Sequence, residues 1–365
     1  TFLPWALKFL WAAPVERLCV RYGVRPVIIV TQGAAALAFA ALAPTDAAIA
    51  LPAAIGLLIV LNALCATQDI ATDRYAILQR GAVGAARVNT ARFVGFTLGM
   101  FAGGSGLLLA GGRWGWSAFM LGCAAWMLGQ ALAARTLVEP VAATTADNGK
   151  ARASLAGFFA RPGAWRLLLI ALVFKTAATS SDSMLKSHYV DRGLSLDEIA
   201  LLTALFIGLL GLVGAPLGAW LLARPRVGVR AVAVAAGLTA AVLLAMLGFA
   251  VNLGDGLPIA WLILLPALQA VADGAASLAF LTLFMRWSAG PQPGTDFTLF
   301  LCAESLGGMA IASLAGVSAA AFGYALHFAL GAGCALLAML YAWRAAEAAP
   351  LPEQAVAPEF HSRET

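Results

Sequence analysis

The sequence predicts an all-α polytopic membrane protein built as two helix bundles. Of the 365 residues, 62% are hydrophobic and 11% charged, and the mean hydropathy is +0.88. Soluble domains carry about a quarter charged residues, so a soluble chain is excluded. Apolar stretches of about twenty residues, long enough to cross a bilayer core, recur from end to end. One long polar loop, Val138 to Pro162, separates them into two groups.

The apolar stretches place helices near 1–14, 27–43, 48–72, 88–111 and 115–136, then near 165–187, 199–222, 228–250, 257–285, 297–322 and 325–345. This is about eleven crossings by the bilayer-length criterion. Residues 1–137 form a first bundle and 138–164 a cytoplasmic linker, with Ser154 to Arg161 as a short interfacial helix. Residues 165–346 form a six-helix second bundle, and 347–365 a cytoplasmic tail. The chain opens inside an apolar segment with no signal peptide, so the first bundle is expected to lack its first helix.

Charge sets the orientation. The net charge of +5 needs no nucleic acid, because the basic residues cluster in alternate short loops. Arg17, Arg21 and Arg25 fall in one such loop, Arg74, Arg80 and Arg87 in the next, and Lys150, Arg152 and Arg161 in the linker. Arg224, Arg226 and Arg230 follow, with Arg286 and Arg344 at later ends. Loops holding only Arg113, or Arg192 near Lys186, lie between them. The positive-inside rule puts the rich set, the linker and the C-terminus in the cytoplasm.

Cys19, Cys65, Cys123, Cys302 and Cys334 include no CxxC pair and read as small buried hydrophobes, with no disulfide or metal framework. No HExxH, GxSxG or Walker loop is present, and the histidines are His188, His327 and His361. No enzyme and no cofactor is expected.

A weak repeat relates Ala13-Pro14 with Arg21 to Arg25 and Ala215-Pro216 with Arg224 to Arg230. Two bundles, each with a basic glycine-containing turn, match the layout of the major facilitator superfamily. Within it, Leu3-Pro4-Trp5 through Pro14 with Glu16-Arg17 resembles the second-helix signature of AmpG-type muropeptide permeases. Gln68-Asp69-Ile70-Ala71-Thr72-Asp73 matches that family's fourth-helix signature closely. Asn89 with Gly95, Gly99 and Gly103-Gly104 is similar to its fifth-helix pattern. The group also includes RhtX/FptX siderophore permeases and acetyl-coenzyme A transporters. The resemblance implies a proton-coupled importer of a bulky solute, a muropeptide or a ferric siderophore, in the bacterial inner membrane. The energy source would be the proton gradient and the working unit a monomer. The sequence departs from the family at Glu16, Arg74, Arg92 and after Lys175. A membrane sensor or scaffold that keeps the fold without transport is the alternative.

The candidate site follows from charge inside apolar helices, which is costly and marks function by default. Asp69 and Asp73, four residues apart, share a helix face. Asp73 reads as part of a cytoplasmic gate of ion pairs with Glu16, Arg17 and Arg74. Asp69, one turn deeper, reads as the proton carrier, with Glu304 and Asp273 as counterparts in apolar second-half helices. Lys8, Gln68, Asn89, Arg92, Lys175, Asp182 and Gln269 are the solute-binding candidates. Lys8 either neutralises Asp69, binds an anionic solute or locks two helices. Arg92 clamps a carboxylate or pairs with Asp73, and the pair is favoured. Lys186 and His188 read as solvated rim residues, Asp296 as a helix N-cap, and Trp114 with Trp116 as an interfacial belt.

Overall fold

The computed structural model describes residues 3–45, 51–101, 113–139, 153–224, 226–254 and 258–347. The linker residues 140–152, with Lys150 and Arg152, and the tail from 348, with His361, lie outside these residues. So do Gly103 and Gly104.

Helices make up nearly all of the described chain. The first half holds α1 (Leu3–Leu7), α2 (Phe9–Tyr22), α3 (Val24–Leu42), α4 (Leu51–Val83), α5 (Ala85–Phe101) and α6 (Trp116–Ala133). A short α7 (Leu155–Phe159) ends the linker, as expected from the sequence. The second half holds α8 (Ala164–Val173), α9 (Thr176–Asp191), α10 (Leu196–Leu201) and a π-helical stretch, Leu202–Gly208. It continues with α11 (Leu209–Leu222), α12 (Val229–Asn252), α13 (Ile259–Trp287) and α14 (Pro293–Glu347). Gly323, at φ +76°, breaks α14 into two crossings, a backbone angle that glycine alone takes without strain. Among the described residues, seven helical stretches are long and apolar enough to cross a membrane.

One boundary changes the reading of the site. α4 does not stop at residue 72 but runs on to Val83. Asp69, Asp73 and Arg74 therefore lie inside a long helix, and Arg74, grouped above with loop arginines, is buried.

Within the first half α3 packs on α4 and α6. In the second, α12 packs on α13 and α14, and α11 on α13. The α11–α13 contact is made by small residues, as helices in lipid prefer. A Cβ on Gly214 would meet the Val271 carbonyl and come within 2.9 Å of the Gly274 Cα. The halves meet where α2 and α4 face α14, and where α5 faces α11 and α13.

The largest packed core lies at the linker end of the second half. Phe158 of α7 inserts edge-on between Trp287 and Phe300, with ring centroids 5.4 Å from each, and Phe284 stacks on Phe300 at 4.7 Å. Such pairs contribute about 0.5–1.5 kcal/mol each beyond area burial, so α7 is anchored to this half. Leu37, Trp126 and Leu314 point outward and are largely exposed, a surface suited to lipid.

Candidate functional site

The first crossing is fastened to α4 by polar side chains that the apolar sequence places one turn apart. Trp5 Nε1 donates to Asn62 Oδ1 at 3.0 Å, and Trp11 Nε1 to Thr67 Oγ1 at 3.1 Å. Between them, Lys8 sits at the interruption separating α1 from α2 and forms an ion pair with Asp69. The Lys8 side chain is 3% exposed and that of Asp69 is 26% exposed. Asp69 is thus the member of the pair that solvent reaches. The pair fits two of the readings for Lys8, neutralising Asp69 and locking two helices together.

One turn further, Asp73 is fully buried and pairs with Arg92 of α5 at 2.7 Å. The second carboxylate oxygen of Asp73 has no hydrogen-bond partner. The Arg92 guanidinium also lies 4.9 Å from the ring of Phe297 in the second half. Among the described side chains no loop arginine pairs with Asp73, and the Arg92 pair favoured from the sequence forms. Arg74 turns the other way and pairs with Glu16. Helical geometry is the reason, because adjacent residues on α4 point about a quarter-turn apart. Gln68 is half-buried beside this group.

Glu16 carries the contact between the halves. Besides Arg74, its carboxylate accepts the Thr295 backbone N–H at 2.8 Å, in the first turn of α14. A carboxylate at a helix N-terminus satisfies a free N–H and complements the helix dipole. Gly294 makes the approach possible. A Cβ there would collide with the Glu16 carboxylate and come to 3.1 Å from both the Arg74 Cβ and the Ile70 carbonyl.

Asp296 is therefore not the N-cap. It lies within the first turn, accepts from Gln292 Nε2 at 2.7 Å and pairs with Arg161. The cap it was expected to supply comes from the opposite half. Around this point, Asn89 donates to Thr282 Oγ1 at 3.3 Å and lies against Met285. Arg17 donates twice to the Ala153 carbonyl, at 3.1 and 2.8 Å. Across the halves the Cys302 thiol also faces the Trp5 carbonyl, in addition to the Glu16, Asn89 and Arg17 contacts. They gather on the side where the linker ends.

A cavity of about 440 Å³ opens among the helices of the second half. Lys175, Asp182, Gln269 and Asp273 line it together with Thr179, Ser181 and Ser277. Asp273 thus lines a cavity whose walls mix polar residues with apolar ones. Like Lys8, Lys175 sits at a helix interruption, between α8 and α9, and pairs with Glu304. Phe93 of α5 closes one wall, and the π-helical stretch ending at Gly208 forms another. Short π segments inside helices occur frequently at functional sites.

The sequence candidates therefore separate into two groups. Lys8, Asp69, Asp73 and Arg92 form a charge cluster beside the seal made by Glu16, Arg17, Arg74 and Asn89. Lys175, Asp182, Gln269 and Asp273 form the cavity. His188 is buried against Tyr324, ring centroids 5.0 Å apart, and is not a solvated rim residue, whereas Lys186 is exposed. Trp114 is exposed, and Trp116 Nε1 donates to the Leu42 carbonyl at 2.9 Å.

Sequence reasoning missed Glu139, which accepts the N–H groups of Val24 and Arg25 at 3.1 and 2.6 Å and caps α3. Its only signal was an acid just outside a helix, in a segment read as linker.

No family model and no curated protein matches the chain by sequence. Solved structures do match. The chain is similar to the E. coli fucose:proton symporter FucP, with a TM-score of 0.71 and 17% identity over 93% of this chain and 89% of that one. A FucP structure of the same TM-score is in the outward conformation. The proton:xylose symporter XylE aligns with a TM-score of 0.63 and 14% identity, over 93% of this chain and 84% of that one. A bacterial homologue of the iron transporter ferroportin, in an outward-facing state, aligns with a TM-score of 0.56 and 17% identity, over 95% and 88%. At these identities the likeness is one of fold.

Proposed function

Starting from a multi-pass membrane chain with the major facilitator fold, we propose a secondary active transporter, AmpG-like in kind. Its solute is a bulky one such as a muropeptide or a ferric siderophore, imported across the bacterial inner membrane with protons. The observation that carries this reading is a seal between the halves, Glu16 on the Thr295 N–H, together with a cavity lined by charge in the second half. A seal built on a few polar contacts, Glu16, Arg17 and Asn89 among them, and a close glycine approach is a contact that opens and re-forms. A packed apolar interface of the same area would favour one state.

The roles follow from exposure. Asp69, paired with Lys8 yet 26% exposed, is the group that exchanges a proton with water, and Lys8 holds the charge when it does. Asp73 with Arg92, buried beside the seal, reports the state of the first half to Phe297 of the second. Asp273 and Glu304 are the second-half acids, one in the cavity and one on Lys175. With the linker side cytoplasmic, as the basic residues suggest, a seal on that side corresponds to an outward-facing state.

The test is proton movement. In weakly buffered proteoliposomes, adding the muropeptide or the ferric siderophore should make the external medium more alkaline as protons enter with solute. No alkalinisation with either class would end the proton-coupled import reading.

A further inference from the structure

Charge within the helices is paired in the first half, whereas two acids of the second half, Asp273 (half-buried) and Asp182 (exposed), are not in an ion pair. Lys8 meets Asp69, Arg92 meets Asp73 and Arg74 meets Glu16. In the second half Lys175 is taken by Glu304. Among the described residues, neither Asp182 nor Asp273 has a cationic nitrogen within 4.0 Å. Lys186, one turn beyond Asp182 and exposed like it, is not among the cavity residues.

Both acids line the 440 Å³ cavity, and a third acceptor joins them. Gln269 is 2% exposed and donates through Nε2 to the Ala177 carbonyl at 3.0 Å. Its Oε1 has no hydrogen-bond partner. A buried acceptor left without a donor is costly, more so near charge. The cavity thus presents two carboxylates and an unused amide oxygen, and its own lysine is committed elsewhere.

We propose that this cavity binds the solute through a protonated primary amine, held by Asp182, Asp273 and the Gln269 Oε1. The proposal rests on the transporter reading and deepens it by naming the group that the second half recognises. An ammonium brings three donors and no acceptor, which is the complement of this set. A carboxylate or phosphate entering the same space would face two like charges, an arrangement that selects against it. Phe93, Ile207, Leu212 and Pro266 also line the cavity and offer apolar surface to the carbon chain bearing the amine.

The probe is benzylammonium, compared with benzyl alcohol of the same size and with sodium, at constant ionic strength set by choline chloride. Thermal unfolding of the full chain in detergent is followed by tryptophan fluorescence. Benzylammonium alone should raise the Tm saturably. Its apparent Kd should weaken by about tenfold or more in Asp273→Asn and in Asp182→Asn, the loss expected for one charge-assisted hydrogen bond, and hold in Lys186→Gln. Equal stabilisation by sodium or benzyl alcohol, or undiminished binding in both Asn variants, overturns the proposal. Should an Asn variant fail to fold, the comparison of amine with alcohol on the wild-type chain still decides. Gradient-driven uptake is measured separately in proteoliposomes. Amine binding without uptake of any solute keeps the site and ends the transport reading, whereas uptake without amine binding ends the site alone.

Discussion

Glu16 of α2 caps a helix that belongs to the other half of the molecule. Its carboxylate accepts the Thr295 N–H at 2.8 Å while Arg74 neutralises it. The chain separation is 279 residues, so this contact exists only while the halves are closed on the linker side. It joins a buried ion pair to a conformational state.

Replacing Glu16 with Gln should therefore open that side. Arg74 would be left buried without a countercharge, and the cap would lose its charge. Cys302, buried and facing the Trp5 carbonyl across the halves, is the reporter. In a chain whose other cysteines are alanine, maleimide should label Cys302 about tenfold faster in Glu16→Gln, as expected if the closed state loses roughly 1.4 kcal/mol. An unchanged rate would mean the contact does not hold the halves together.

Gly294→Val tests the same seal by volume. The added carbons would push on Glu16, Arg74 and the Ile70 carbonyl at once, two buried side chains and one backbone atom. The Cys302 labelling rate should rise as in Glu16→Gln. Wild-type labelling in this variant would show that α4 and α14 tolerate separation without opening.

The fold was legible in the sequence because its signals are local. Apolar length set the helices. The paired Asp69 and Asp73 stood out because charge inside an apolar run is rare. What was not legible depends on which helix faces which. Asp296 looked like an N-cap by its place before an apolar run, but Glu16, far away in sequence, took the N–H. Arg74 looked like a loop residue because the helical pattern of α4 weakens before the helix ends. His188 looked solvated because its neighbours are polar, while Tyr324 covers it. Each of these was decided by packing between elements.

The Lys8–Asp69 pair should behave as a unit. Lys8→Met alone leaves a carboxylate in a mostly buried site and should cost about 2–4 kcal/mol, toward the lower part of the range for broken buried pairs because Asp69 is partly exposed. The double variant Lys8→Met, Asp69→Leu should recover most of that loss. Denaturant unfolding in detergent micelles measures both. A double variant as unstable as the sum of the singles would mean the two residues do not interact.

Asp69 and Asp73 should separate by function. Asp69→Asn should abolish accumulation of solute under a proton gradient while leaving solute exchange across proteoliposomes intact, because only coupling needs the titrating group. Asp73→Asn should keep coupled accumulation, since its carboxylate is fully buried. Reversal of these two outcomes would move the proton-carrying role to Asp73.

The most direct measurement is accumulation itself. Proteoliposomes holding the full chain, given labelled muropeptide or ferric siderophore and an inward proton gradient, should concentrate the solute above its external level. A protonophore should erase the excess, and Asp69→Asn should show none. Equal internal and external concentrations for both solute classes, with and without the gradient, would contradict the account.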